Sequence, residues 1–254
     1  MHTSKPILTI RSLTKVYNSQ AVVDGISFEV KEGEIFGILG PNGAGKTTTL
    51  EMIETLRPID GGTINVAGLD VAKQPNEVKR IIGVQPQTPA FQDKQKLSEI
   101  IEMFAAAYGE KVNVKEFLAD VQLEGKANAY AEQLSGGQRQ RLSIAAALVH
   151  SPKVFFLDEP TTGLDPQARR NLWELVQMVR DRGVTVIMTT HYMDEAELLC
   201  DRVAIMDKGK IISLDTPKKL IRNLLDKGFT KDQQVEQANL EDVFIDLTGK
   251  ALRD

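Results

Sequence analysis

Apolar residues are concentrated in three short runs, each followed by glycine or polar residues. The runs span residues 35–39, 154–157 and 184–188, and few polar positions interrupt them. Runs of this length without polar alternation are typical of strands that are buried on both faces of a parallel sheet. The pattern therefore predicts a parallel sheet at the centre of the fold.

A second set of strands is indicated by alternating or β-branched runs at residues 7–10, 22–30 and 63–66. Turn signals that contain glycine separate these runs. They predict an antiparallel layer beside the parallel sheet. Near the end of the chain, strands predicted at 203–206 and 211–214 bracket a tight turn at Lys208-Gly209.

Helix-forming residues dominate the stretch from residue 87 to residue 150. Ser98 is the predicted N-cap of a helix over 99–108, and Gly109 is its predicted C-terminal stop. Farther along, apolar residues recur at i, i+3, i+4 and i+7, which predicts an amphipathic helix on the sheet: Leu172, Leu175, Val176 and Val179. The tail from residue 239 to 254 also has helical propensity.

The composition limits the class of protein. With 254 residues, 42% apolar and 26% charged, the chain fits one large α/β domain with an inserted lobe. We expect a catalytic core over about 1–86 and 151–254, and a helical lobe over about 87–150. The net charge of −4 argues against nucleic acid as a partner, because binding its phosphates needs clustered Lys and Arg. The single cysteine, Cys200, excludes an internal disulfide, and the apolar runs are shorter than the ~20 residues that span a bilayer.

The run at 35–39 leads directly into a glycine-rich motif. Its residues fit the pattern G-x-x-x-x-G-K-T between a strand and a predicted helix over 48–56: Gly40, Pro41, Asn42, Gly43, Ala44, Gly45, Lys46 and Thr47. Glycines let backbone N–H groups face an anion, and the helix N-terminus adds its positive dipole. Lys46 supplies a mobile positive charge for the β- and γ-phosphates, and the Thr47 hydroxyl can bind Mg²⁺. The motif predicts a nucleoside triphosphate site.

Two adjacent acids, Asp158 and Glu159, end the run at 154–157. An Asp at a strand end beside a phosphate loop can hold Mg²⁺. Because side chains alternate along a strand, Glu159 is expected to point the other way and to meet the water that attacks the γ-phosphate. His191 lies at the end of the strand predicted over 184–190, at the edge where open α/β sheets meet their ligands. These residues predict a catalytic edge beside the phosphate loop.

A second anion-binding pattern lies farther along the chain. Ser135 precedes Gly136, Gly137 and Gln138 at the start of a predicted helix. Serine and glycines at a helix N-terminus form a cradle for an anion. Since the phosphate loop already serves the nucleotide of this chain, the second cradle is unexplained within a monomer.

Together these motifs resemble the ATP-binding cassette of ABC transporters, over about residues 7–254. The resemblance implies an α/β P-loop NTPase fold with a RecA-like mixed sheet, an antiparallel β layer and an inserted α-helical lobe. It implies ATP and Mg²⁺ as cofactors and an ATPase activity. The catalytic residues that it implies are Glu159, His191, Lys46 and Gln87, and the implied metal ligands are Thr47, Gln87 and Asp158. The implied ATP-binding residues are Tyr17, Gly40, Pro41, Asn42, Gly43, Ala44, Gly45, Lys46, Thr47, Thr48, Ser135, Gly136, Gly137, Gln138 and Asp165.

Three of these assignments come from matching positions to family motifs. Tyr17 matches the aromatic residue that stacks on adenine, and Asp165 belongs to Gly163-Leu164-Asp165, which matches the D-loop. The glutamine of the loop between core and lobe is assigned to Gln87, which follows Pro86. Gln85 is a credible alternative for that glutamine.

The resemblance also accounts for the second cradle. In this family two cassettes face head to tail, and the signature of one, here 134–138, closes over the ATP held by the other. The expected partners are therefore a second cassette, as a homodimer, and a separate transmembrane permease, because no membrane span is predicted. The permease is expected to dock near Pro89-Ala90-Phe91, at the cytoplasmic face of the membrane.

Three further segments, at 190–197, 214–217 and 240–249, are similar to bacterial drug and antibiotic exporters of the ABC type-2 group. This resemblance implies ATP-driven efflux of a drug-like or other substrate. One alternative is a soluble ABC ATPase that acts on ribosomes or DNA, but such chains generally fuse two cassettes or insert a long coiled coil. Another alternative is a P-loop kinase or GTPase, but that function would not account for the signature at 134–138.

Overall fold

Strands and helices follow each other closely along the described part of the chain, which the computed structural model gives as residues 6–87, 91–92, 94–230 and 240–248. The strands are β1 (Pro6–Tyr17), β2 (Gln20–Lys31), β3 (Ile35–Leu39), β4 (Gly61–Val66), β5 (Leu69–Asp70), β6 (Ile82–Gln85), β7 (Val154–Asp158), β8 (Thr185–Thr190), β9 (Arg202–Asp207) and β10 (Lys210–Asp215). The helices are α1 (Lys46–Ile53), α2 (Pro75–Ile81), α3 (Leu97–Tyr108), α4 (Val114–Asp120), α5 (Gly136–Leu148), α6 (Pro166–Asp181), α7 (Met193–Leu199), α8 (Pro217–Asp226) and α9 (Leu240–Thr248).

The nearly apolar runs form the centre of a six-stranded sheet, in the order β10-β9-β3-β8-β7-β6. Strands β9, β3, β8, β7 and β6 are mutually parallel, whereas β10 pairs antiparallel with β9 through the turn at Lys208-Gly209. The prediction of a parallel centre is confirmed, and the hairpin at one edge makes the sheet mixed.

A four-stranded antiparallel sheet, β2-β1-β4-β5, covers one face of the central sheet and confirms the predicted second layer. Successive side chains of the central strands belong to two different cores, one on each face of the sheet. In β7, Phe156 belongs to the core between the two sheets, whereas Phe155 and Leu157 belong to the core on the helical side. Both faces are buried, and the buried polar residues of β6, β7 and β8 are confined to the ends of these strands.

The predicted start of α3 is wrong by two residues. The helix begins at Leu97 with Lys96 as its N-cap, not at Ser98. The N–H groups of Leu97 and Ser98 donate to the carbonyl oxygens of Ala129 and Ala127, both at 3.0 Å. These tertiary bonds satisfy the first donors of the helix, so a serine cap is unnecessary. The predicted stop is confirmed, since Gly109 is the C-cap with a φ of 76°.

The other helices that the sequence predicted individually differ from prediction only at their ends. Helix α1 begins at Lys46 and ends at Ile53, instead of covering 48–56. The four apolar residues that predicted an amphipathic helix are all buried in α6. In the tail, α9 covers 240–248, and the rest of the predicted helix lies outside the described residues. No helix in the described ranges is both long and apolar enough to cross a membrane.

The C-terminal end of α5 is fixed against β6. A Cβ on Gly83 would lie 2.4 Å from the carbonyl oxygen of Ala147, so the close approach of helix and strand requires glycine. Just beyond the helix, His150 Nε2 lies 2.9 Å from the carbonyl oxygen of Ile82. The His150 ring also stacks on Tyr108 of α3, with ring centroids 3.8 Å apart. These contacts join the helical segment to the strand that leads to Gln87.

Candidate active site

The candidate active site lies at the edge of the central sheet where the parallel strands end. Strand pairing places Leu39 beside Thr190, and Asp158 beside Thr189. The segments that follow β3, β7 and β8 therefore leave the sheet at the same edge. They border a cavity of about 500 Å³. Its lining residues are Val22, Asn42, Gly43, Gly45, Lys46, Thr47, Thr48, Gln87, Glu159, Thr162 and His191.

The predicted phosphate loop connects β3 to α1 along one side of this cavity. Gly45, which precedes the helix, has a φ of 101°. A Cβ there would lie 2.5 Å from the carbonyl oxygen of Val22, so both conformation and space require glycine. No side chain caps α1, which leaves its first N–H groups available to an anion. The loop thus has the shape and the donors that a triphosphate needs.

Lys46 points back across the loop towards Glu159. Its ammonium donates hydrogen bonds to the carbonyl oxygens of Gly40 at 2.8 Å and Pro41 at 3.2 Å. It also lies 3.2 Å from Glu159 Oε1, and the two side chains are 4% and 8% exposed. Desolvation of either charge alone is costly, so each compensates the other. The predicted phosphate-binding cation is therefore in contact with the predicted catalytic carboxylate.

Asp158 accepts hydrogen bonds from two threonine hydroxyls. Thr47 Oγ1 lies 3.3 Å from Asp158 Oδ1, and Thr189 Oγ1 donates to the same oxygen. Thr47, Asp158 and Gln87 also line a second cavity beside the first. A hydroxyl and a carboxylate are oxygen ligands that suit Mg²⁺, which otherwise binds phosphate oxygens and waters. Among the described residues no group of three or more His, Cys, Asp or Glu could hold a metal ion, and such a Mg²⁺ does not require one.

Glu159 is surrounded by polar side chains from three further segments. Gln87 Nε2 at 3.3 Å and Thr162 Oγ1 at 3.4 Å donate to its Oε2. His191 Nδ1 lies 3.2 Å from the same oxygen, but without the alignment of a hydrogen bond. The φ of Glu159 is 47°, which turns the chain sharply where the strand ends. Asp158 and Glu159 have different side-chain partners, as expected. Their side chains point apart because of this turn as well as because side chains alternate along the strand.

The two candidate glutamines have different surroundings. Gln87 is exposed, lines the cavity and donates to Glu159. Gln85 is fully buried in β6, where its amide donates to the carbonyl oxygen of Pro86 and its Oε1 has no hydrogen-bond partner. Both glutamines line the second cavity, but only Gln87 also contacts Glu159, which favours Gln87 for a role at the nucleotide.

The second predicted cradle does not line this cavity. Ser135 Oγ accepts from the N–H of Gln138 at 3.3 Å, and Gln138 Oε1 accepts from the N–H of Ser135 at 3.2 Å. This reciprocal pair is a capping box at the start of α5. Gly137 packs against the first turn of α6, which Asp165 caps by accepting a backbone N–H bond at 2.9 Å. Ser135 and Asp165 are exposed, so both helix starts face solvent.

Tyr17 lies outside the lining of the cavity, at the end of β1. Its hydroxyl accepts a hydrogen bond from Arg57 at 2.8 Å. Arg57 and Lys15 lie 5.7 Å and 5.4 Å from the ring centroid. The residue is 37% exposed, which leaves part of the ring free to stack on another aromatic ring. Its role at adenine stays a prediction.

A buried carboxyl group lies close to Asp158. Glu54 directly follows α1 and is 5% exposed. Burial raises the pKa of Glu54, and the negative charges of Asp158 and Glu51 raise it further, to about 8. Glu54 is therefore mostly protonated at neutral pH and adds little negative charge beside Asp158.

Three residues at the site were not predicted from the sequence. Val22 and Thr162 line the cavity, and Thr189 contacts the acid pair. A signal for two of them was present: Thr162 lies three residues after Glu159, and Thr189 is a polar residue near the end of an apolar run. Val22 gave no signal, because its place depends on how the β1–β2 hairpin folds over the loop.

Comparison with known proteins identifies the family. The family model described as ABC transporter matches residues 23–162, more than half of the 254 residues. The chain belongs to the ABC transporter family. The predicted fold class is confirmed, and this ABC cassette is an ATP-binding ATPase. The matched range contains the phosphate loop, the Ser135 cradle and both acids.

Relatives of this ABC cassette carry names that refer to export or to resistance. The chain is 41% identical to the Nod factor export ATP-binding protein I of Ralstonia nicotianae, over 86% of this chain and 70% of the relative. It is also 41% identical to the linearmycin resistance ATP-binding protein LnrL of Bacillus subtilis, over 86% of this chain and 72% of that protein. A solved structure described as the ATP-binding subunit of an ABC transporter superposes with a TM-score of 0.82 at 28% identity, covering 95% of this chain and 99% of that one.

Proposed function

We propose that this cassette is the energy-coupling subunit of an exporter, which drives efflux of a drug-like or other substrate through a separate membrane subunit. The names of the two relatives support this assignment. The observation that carries the chemistry is the contact of Lys46 with Glu159 at the first cavity, with Asp158 bonded to Thr47 beside it. The subunit would act at the cytoplasmic face of the membrane. The net charge of −4 supports a partner other than nucleic acid.

The chemistry is positioning and charge stabilisation, as in phosphoryl transfer generally. Thr47 and Asp158 would hold Mg²⁺, with Gln87 beside them, and the bound ion would neutralise phosphate charge. Lys46 binds the β- and γ-phosphates. Glu159 orients the attacking water and accepts its proton. His191, whose Nδ1 lies 3.2 Å from Glu159 Oε2, holds the γ-phosphate in place.

We also propose a head-to-tail dimer in which each signature serves the partner's ATP. The exposed capping box at Ser135 and the exposed start of α6 at Asp165 support this arrangement. Both helix N-termini present positive dipole ends, which suit a phosphate. Neither residue lines the cavity of its own chain, so the ATP held by a second cassette would be the ligand of both.

The dimer predicts that two inactive variants restore each other. Ser135→Arg and Glu159→Gln should each be inactive alone, because every site in the homodimer is defective. An equal mixture should regain about a quarter of the wild-type ATPase rate, since half the dimers are mixed and each has one complete site. Rates are measured after mixing with Mg²⁺ and ATP.

Ser151→Arg is the matched control, because this exposed serine lies just beyond the other end of α5 and should leave the rate unchanged. A mixture of the two inactive variants that stays inactive, in dimers that demonstrably contain both chains, would place Ser135 at its own ATP.

We propose that the helical segment of about 87–150 moves as a lobe and passes this movement to the membrane subunit. Of the predicted docking segment, Pro89 and Ala90 lie outside the described residues, and Phe91 packs against the core on the helical side. The contact between Gln87 and Glu159 supports a link from the nucleotide to this lobe.

Gln87→Ala should therefore impair transport more than basal hydrolysis. The amide senses the γ-phosphate and transmits a lobe movement, whereas the isolated ATPase retains Lys46, Asp158 and Glu159. ATPase rate and substrate efflux are compared for Gln87→Ala and Gln85→Ala, with the membrane subunit present. A larger efflux defect in Gln85→Ala would reassign the coupling role to Gln85, and equal mild effects would contradict the assignment of either residue.

The exporter assignment is tested by co-expressing the chain with a membrane protein encoded beside it. The two should copurify, and vesicles that contain both should show ATP-dependent efflux that Glu159→Gln abolishes. An ATPase that copurifies with no membrane protein would favour the alternative, a soluble ABC ATPase without a transport partner.

A further inference from the structure

The hydroxyl of Thr189 lies between the two acids of the active site. Thr189 is the fifth residue of β8 and is fully buried. Its Oγ1 donates to Asp158 Oδ1, and it accepts the backbone N–H of Glu159 at 3.0 Å. One side chain therefore contacts both the predicted metal ligand and the backbone of the predicted general base.

We propose that Thr189 is a positioning residue for ATP hydrolysis, whose hydroxyl fixes Asp158 for the metal and Glu159 for the attacking water. This inference rests on the proposed roles of those two acids. It goes beyond them because Thr189 does not line the phosphate-loop cavity and acts only through the two acids.

The direction of the two hydrogen bonds is determined by their chemistry. A backbone N–H can only donate, so the Thr189 oxygen accepts from Glu159. The single hydroxyl hydrogen is then free for Asp158, whose carboxylate oxygen accepts it. The result is a continuous chain from Glu159 N–H through Thr189 Oγ1 to Asp158 Oδ1. Valine has the same shape but can take part in neither bond.

The hydrogen bonds of Thr189 matter because the backbone turns sharply at Glu159. With a φ of 47°, Glu159 has a backbone conformation that residues with a Cβ rarely adopt. Among the residues that the structure describes, its N–H donates only to Thr189, to Oγ1 at 3.0 Å and to the backbone carbonyl oxygen at 3.2 Å. Losing the hydroxyl leaves the longer bond to hold the turn. The Glu159 carboxylate then has a less defined position relative to Lys46 and Gln87.

The neighbouring threonine has a different role, which makes the assignment specific. Thr190 lies on the other face of β8, and its Oγ1 accepts the N–H of Tyr192 at 3.0 Å. That bond shapes the turn that contains His191. Thr189 alone, of this pair, is bonded to the acids.

The test compares Thr189→Val and Thr189→Ser with the control Thr185→Val. Thr185 is fully buried in the same strand, and its hydroxyl accepts the N–H of Gly33 at 2.9 Å, at the end of β8 far from the acids. All variants are assayed for kcat, for the Mg²⁺ concentration that gives half the maximal rate, and for thermal unfolding. Thr189→Ala is made as a second hydroxyl-free variant in case Thr189→Val does not fold.

We expect Thr189→Val to lower kcat and to raise the half-saturating Mg²⁺ concentration, each about tenfold, as is usual when a group that orients a metal ligand is removed. Thr189→Ser should restore both values to within a factor of about two, since it keeps the hydroxyl. Thr185→Val should leave the Mg²⁺ dependence unchanged.

Unchanged kcat and Mg²⁺ dependence in the folded hydroxyl-free variants would overturn the inference. So would a Thr189→Ser variant as defective as Thr189→Val, or an equal shift in Thr185→Val. Glu159→Gln, assayed alongside, separates a failure of this inference from a failure of the proposed function. If it hydrolyses ATP normally, the proposed base is wrong, whereas the Mg²⁺ readout still reports on the bond between Thr189 and Asp158.

Discussion

Replacing Glu159 by Gln is expected to lower ATP turnover by a factor on the order of 10² or more, while ATP binding is retained. Glutamine has the same shape but cannot accept a proton from water. The hydrogen bonds of Lys46 to the loop carbonyls stay intact, so no phosphate-binding group is lost. Single-turnover hydrolysis and calorimetric ATP binding measure the two effects separately.

Glu174→Gln is a suitable control, because Glu174 is an exposed residue of α6 outside the cavity. It should behave as the wild type does. If Glu159→Gln hydrolysed ATP at nearly the wild-type rate, the general-base assignment would be wrong.

The same variant should also form an ATP-dependent dimer, which size-exclusion chromatography detects.

Lys46→Ala is expected to act on binding itself and to weaken ATP affinity on the order of 10²-fold or more. Two effects add. The phosphates lose their buried cation, and Glu159 loses the ammonium that lies 3.2 Å from its Oε1. An unpaired buried carboxylate then repels the incoming phosphates. Calorimetry with ATP and Mg²⁺ measures the change.

Lys153→Ala serves as its control, because Lys153 is an exposed lysine just before β7. Its affinity for ATP should equal that of the wild type. Unchanged ATP affinity in a folded Lys46→Ala variant would contradict the phosphate-binding role. The double variant Lys46→Ala, Glu159→Gln should bind ATP better than Lys46→Ala alone, since the unpaired charge is gone.

The sequence predicts the central sheet and the phosphate loop well because local patterns determine both. Strands buried on two faces are apolar except at their ends, which marks β3, β7 and β8. The loop is marked by glycines at positions where other residues do not fit, as the 2.5 Å approach to Gly45 illustrates. Ser98 was predicted wrongly as a cap because residues 127 and 129, far along the chain, supply the acceptors.

The finer parts of the site depend on contacts between distant segments. Thr189 meets Asp158, 31 residues away, only because β7 and β8 pair in a particular register. The choice between Gln85 and Gln87 depends on where β6 ends, which spacing alone does not determine. The turn at Glu159 follows from its backbone bonds to Thr189. Such features require the assembled sheet.

Helix α5 joins two of these parts with a stiff connection. Its 13 residues extend over about 20 Å, with the signature at one end. At the other end, Gly83 and His150 fix it to the strand that runs into Gln87. A tilt that a second cassette imposes on the signature would therefore be transmitted to Gln87 of the first cassette. We expect α5 to transmit this tilt as a rigid element. ATP bound at one site of a dimer would then affect the position of Gln87 at the other site.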